Sequence, residues 1–70
     1  TFQACIAKEG LGDVYKKMKR YKLATKSYNE ALQELSKLQK GVKVKLIQDR
    51  QLHFQNKLKM KVAMCAYYQG

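Results

Sequence analysis

Apolar residues recur at intervals of three, four and seven along almost the whole chain, and no proline interrupts them. That periodicity puts apolar side chains on stripes of α-helices and leaves little room for another architecture. From Phe2 to Met18 they fall at Phe2, Cys5, Ile6, Leu11, Val14, Tyr15 and Met18, which predicts a first helix with these residues on one stripe. After the polar turn Lys19-Arg20, a second stripe follows at Tyr21, Ala24, Tyr28, Ala31, Leu32, Leu35 and Leu38. Two helices joined so tightly run antiparallel. Gly41 is expected to end the second helix, with Lys37 and Lys40 near the negative end of its dipole.

From Val42 to Tyr68 nothing breaks a helix. Val44, Ile47, Phe54, Leu58, Val62 and Cys65 form a seam that can face the hairpin, interrupted by Gln51 and Gln55. The alternation Val42-Lys43-Val44-Lys45-Leu46 has the period of a strand. An isolated strand would have no partner, so one long helix over 42–69 is the expectation.

Seventy residues make one small domain at most. Lys, Leu, Ala and Gln are plentiful, all residues that lose little rotamer freedom in a helix. No stretch approaches the roughly 20 apolar residues that cross a bilayer, and the start does not resemble a signal peptide. An intracellular setting, cytoplasmic or nuclear, is the expectation. Cys5 and Cys65 lack metal-ligand spacing and are too few for a disulfide scaffold, so both are read as small buried thiols. Fifteen Lys and Arg against five Asp and Glu give a formal net charge of +10, shared equally by the parts before and after Gly41. Such an excess favours acidic peptides, nucleic acid or anionic membranes without choosing among them.

A close contact between the first two helices is written into side-chain size. Gly12 and Ala24 are small where two helices would cross, and Tyr15 and Tyr28 are large on either side. The series Leu11, Gly12, Tyr15, Tyr21, Ala24, Tyr28 and Ala31 resembles, in register, the signature of the tetratricopeptide repeat family. The chain departs from that signature at Lys8, which replaces an early aromatic, at Lys19, which replaces a turn glycine, and at Ser36, which replaces a terminal proline. Losing the proline lets the second helix run on toward Lys40. A weaker echo over 63–70 resembles the first helix of a following repeat starting near Lys57, with 39–56 as an insertion. The resemblance implies an all-α fold: a helix hairpin over 5–38 followed by a long third helix, as part of a right-handed superhelix. It also implies neighbouring repeats, since such units stack to bury their apolar faces.

In that family the first helix of each unit lines a groove for a partner peptide. By position, the groove residues here are Ile6, Glu9, Asp13, Lys16 and Lys17. The subclass that grips a C-terminal carboxylate uses polar and basic residues where this chain has Ile6, Gly10, Leu58 and Val62, so that ligand is not expected. Two further basic groups stand out, one at the turn including Lys19 and Arg20, the other at Lys43, Arg50, Lys57 and Lys61. Steps of seven, seven and four would place the second group on one helix face.

Catalysis finds little support. His53 and Asp49, one turn apart, read as a solvated pair. No metal-ligand set and no glycine-rich phosphate loop is present, so neither metal nor cofactor is expected. The leading expectation is therefore a non-enzymatic scaffold segment that binds a protein or peptide, acidic partners being favoured by the charge. Electrostatic binding of nucleic acid or anionic membrane through the basic faces is the alternative. A three-helix microtubule-interacting-and-transport-like domain has the right size, but does not call for the Leu11-Gly12 to Ala24 spacing.

Overall fold

The computed structural model describes residues 2–69, apart from the side chain of Val44. Three α-helices carry the fold: α1 (Phe2–Lys17), α2 (Tyr21–Gln39) and α3 (Asp49–Gln69). A single 3-10 turn, Val44–Leu46, lies between α2 and α3. Among the described residues there is no strand. The all-α expectation holds.

Helix α2 occupies the middle and packs on both α1 and α3. Contacts between the outer helices pair Phe2 with Phe54, ring centres 5.2 Å apart, and Glu9 with Lys61 at 3.3 Å. Both pairs are 52 positions apart in the chain, so α1 and α3 run parallel and in register. The core is Cys5 from α1, Ala24, Tyr28, Ala31 and Leu35 from α2, and Phe54, Leu58 and Cys65 from α3.

The α1–α2 joint follows from backbone chemistry. Lys19 N–H donates to the Lys16 carbonyl at 3.0 Å and Arg20 N–H to the Tyr15 carbonyl at 2.9 Å. These paired bonds close a helix end through a left-handed residue, and Lys19 takes that place with φ 62°. A lysine therefore sits in a conformation that favours glycine. Gly41, with φ 82°, sits just past the end of α2. That helix continues to Gln39, as the absence of proline at Ser36 implies.

The sequence expectation needs two corrections. First, the long third helix over 42–69 is shorter. The segment from Val42 to Gln48 forms the 3-10 turn and irregular chain, and α3 begins at Asp49, whose first turn bonds back to the Gln48 carbonyl from Gln51 and Leu52 N–H. Valines at 42 and 44 lose rotamer freedom in a helix, and Asp49 suits the positive end of the α3 dipole. Ile47 and Val62 are half-buried, while the packing of Val44 lies outside the described residues.

Second, the apolar residues of α1 do not share one stripe. Cys5 and Gly12 are buried and Phe2 and Tyr15 half-buried, whereas Ile6, Leu11, Val14 and Met18 are exposed. The helix crossing explains the division. A Cβ on Gly12 would lie 2.5 Å from Cε1 of Tyr28, so this face admits almost no side chain. Leu11, Val14 and Met18 turn away from it, while Phe2 and Tyr15 pack at its margins.

Candidate functional site

Of the groove residues inferred from sequence, Ile6 is exposed, and the other four have two different fates. Glu9 and Asp13 are engaged by Lys61, which arrives from α3. The Lys61 ammonium donates to both carboxylate oxygens of Asp13, at 3.0 and 3.1 Å, and lies 3.3 Å from Glu9 Oε2. The Glu9 contact is an ion pair without hydrogen-bond alignment, and leaves that buried oxygen without a donor. Tyr28 completes the cluster: its hydroxyl donates to Asp13 Oδ1, and its ring lies beneath the Lys61 ammonium, 5.7 Å from centre to nitrogen.

These contacts shift the protonation of two groups. Burial, and then the neighbouring Asp13 carboxylate, push the Tyr28 phenol far above its ordinary value. Burial alone would raise the Asp13 carboxyl. The hydrogen bonds from Tyr28 and Lys61, with the Lys61 and Lys16 charges, outweigh it and hold the group below the usual carboxylate range. Asp13 is thus an ionised joint linking all three helices. Lys61 is only 17% exposed, so it does not belong to a free basic surface.

Lys16 and Lys17 have a different setting. With Asp13, Tyr21 and Tyr68 they line an open cleft of about 540 Å³ where the α1–α2 turn meets the end of α3. Tyr68 stacks on Tyr21, ring centres 5.4 Å apart and planes 25° apart, and Tyr67 meets Tyr68 edge-on at 5.7 Å. Beyond Tyr21 a second open cleft is lined by Lys19, Arg20, Lys22, Leu23 and Gln69. Sequence patterning does not reveal this convergence, because Tyr21 and Tyr68 are far apart in the chain.

The one-face arrangement of Lys43, Arg50, Lys57 and Lys61 is corrected. Lys43 precedes the 3-10 turn and is not on α3. The Arg50 guanidinium lies over the Phe2 ring, 5.8 Å from its centre, and Lys61 points to α1. From that set Arg50 and Lys57 are the exposed cations of α3, and of these Arg50 rests on Phe2.

Lys8, which departs from the repeat signature, bridges to Glu30 on α2 at 2.9 Å. Cys5 and Cys65 are buried free thiols, and burial raises the Cys5 thiol above its ordinary value, away from thiolate reactivity. His53 and Asp49 are both exposed. Among the described residues no three metal-ligating side chains gather, and no helix is long and apolar enough to cross a membrane.

A further surface is apolar. Leu11, Val14 and Met18, at 43%, 52% and 54% exposure, follow Ala4 and Ala7 at alternating steps of three and four on the outward face of α1. Such spacing is the pattern with which one helix receives another.

Comparisons with protein-family models, with curated proteins and with solved structures return no match for this chain.

Proposed function

We propose that this chain is a protein-interaction segment of the tetratricopeptide type, a non-enzymatic scaffold that holds a partner through its helices. The observation that carries the reading is the outward seam of α1. Three large apolar side chains about half-exposed at helical spacing, on a bundle whose core is already filled, form a docking stripe. The close approach of Gly12 to Tyr28 supports the repeat resemblance, because it is the contact that the small-and-large pattern calls for.

The occupant we assign to the seam is an amphipathic helix of a partner protein with acidic residues beside its apolar stripe. Lys17, Lys19 and Lys22 stand near the turn end of the seam, and among the described residues none is in an ion pair. A second copy of this chain is a poor occupant, since each copy carries +10. An intracellular setting accords with two cysteines kept as free thiols.

The test is affinity capture with the wild-type chain and with Val14→Glu and Met18→Glu, each checked for unchanged helicity. Both sites are exposed, so the fold should persist. A partner held by the wild type and released by both variants, whose contacting segment maps to an acidic helix, supports the reading. An identical set of partners for all three proteins contradicts it. Neighbouring helical units of a longer chain covering the seam would replace the separate partner by an internal one.

A further inference from the structure

The turn end of the bundle combines two features that no stretch of sequence holds together. Five cations, Lys16, Lys17, Lys19, Arg20 and Lys22, fall within seven positions and converge around the α1–α2 turn. Four ion pairs form among the described residues, Lys8–Glu30, Lys37–Glu34, Lys61–Glu9 and Lys61–Asp13, and none uses these five. Among the described residues the only acid lining either cleft there is Asp13, whose charge is already met by Lys61.

Into this basic pole the end of α3 brings two tyrosines. Tyr68 stacks on Tyr21, and Tyr21 is the wall shared by both clefts. Tyr67 is 81% exposed and keeps most of its ring surface open. Cations therefore lie on both sides of an aromatic wall, with a further open ring beside it.

We propose that this pole binds single-stranded nucleic acid, with phosphates held by the turn cations and unpaired bases stacked on the Tyr67 and Tyr68 rings. Single strands suit the surface because they present base faces to aromatic rings, and stacking is tolerant of sequence. A duplex hides those faces and offers base edges only in its grooves. An acidic peptide could satisfy the lysines but would leave the open rings without a flat partner. The site shares Lys17, Lys19 and Lys22 with the charged end of the seam but none of Leu11, Val14 or Met18, so loss of partner capture on Val14→Glu or Met18→Glu leaves this assignment standing.

The experiment uses the full chain and fluorescein-labelled 12-mers of oligo-uridine and oligo-thymidine, read by anisotropy between 50 and 200 mM salt. Binding should weaken with salt, with a logarithmic slope of about −0.7 for each phosphate contacted. Tyr67→Ala should weaken binding by about fivefold or more, the size of one lost base stack, while leaving the salt slope and binding to polyglutamate unchanged. Tyr68→Phe keeps the ring and should bind like the wild type. Lys17→Gln with Lys19→Gln should flatten the slope by roughly 1.4, two contacts' worth. Lys43→Gln with Lys45→Gln removes the same charge elsewhere and should leave the slope intact.

Equal affinity for abasic oligophosphate and oligo-uridine would overturn the proposal. So would indifference to Tyr67→Ala, or equal loss of slope from the two double lysine variants. Preference for vesicles of phosphatidylcholine with phosphatidylserine over both oligonucleotides would replace the nucleic acid with an anionic membrane.

Discussion

Helix α1 has two apolar faces with opposite construction. Its inward face is small: Cys5 and Gly12 are buried, and Tyr28 lies so close to Gly12 that no side chain fits between them. Its outward face is large, with Leu11, Val14 and Met18 about half-exposed. Hydropathy alone would bury the larger residues, since they have more apolar area to remove from water. Close packing decides otherwise, because a helix that must approach its neighbour tightly needs small side chains at the crossing. The large residues then remain for something outside this bundle. At the crossing itself side-chain volume separates the two faces, while the large rings of Phe2 and Tyr15 pack at its margins.

The edge of α1 between these faces gives the largest effect. Lys61→Met should destabilise the chain by about 2 kcal/mol in urea unfolding. Losing one partner of a fully buried ion pair costs roughly 3–5 kcal/mol, and Asp13, at 42% exposure, recovers part of its hydration. Wild-type stability after this change would mean that α3 is held by its apolar seam alone. Tyr28→Phe keeps the ring against Gly12 and removes only the hydroxyl, so a loss of about 1 kcal/mol is expected.

The same joint sets a pH dependence. Asp13 has a carboxyl pKa lowered by folding, so its contribution is present above the unfolded value of about 3.9 and is lost as pH falls through the lower folded value. The stability difference between wild type and Asp13→Asn should therefore stay level from roughly pH 5 upward and shrink below about pH 4. A difference that persists at pH 2.5 would separate the role of Asp13 from its charge. Smallest of all, Val14→Ser on the outward face should change stability by no more than about 0.5 kcal/mol in the isolated chain. A larger loss would place Val14 in the core.

Helix α2 was legible because its inward residues, Ala24, Tyr28, Ala31 and Leu35, lie on one arc with polar neighbours opposite. The α1–α2 turn was legible too, from the spacing of the paired small and large residues. Helix α1 was misread because it is apolar on two sides, and periodicity counts hydrophobic positions without weighing their volume. Gly12 already marked the side that is approached, and Cys5, seven positions before it, carried the signal that this side continues along α1. The Lys61 cluster was hidden for another reason. No acid lies within four residues of Lys61, so its partners had to come from another helix. Glu9 and Asp13, two acids one turn apart, called for such a cation. The meeting of Tyr68 with the lysine turn left no local trace in sequence, because it depends on the parallel register of α1 and α3.

The contrast between the faces of α1 reduces to two glycines in one helix. At Gly10 an added Cβ meets nothing within 4 Å, while at Gly12 it meets the buried Tyr28 ring. Replacing a helical glycine by alanine stabilises by about 1 kcal/mol where space allows. Overpacking a filled contact costs roughly 1–3 kcal/mol. Equilibrium urea unfolding of Gly10→Ala and Gly12→Ala, measured side by side against wild type, therefore tests the account directly. Gly10→Ala should be more stable than the parent and Gly12→Ala less stable; equal shifts, or a more stable Gly12→Ala, would show that α1 does not turn its small face to α2.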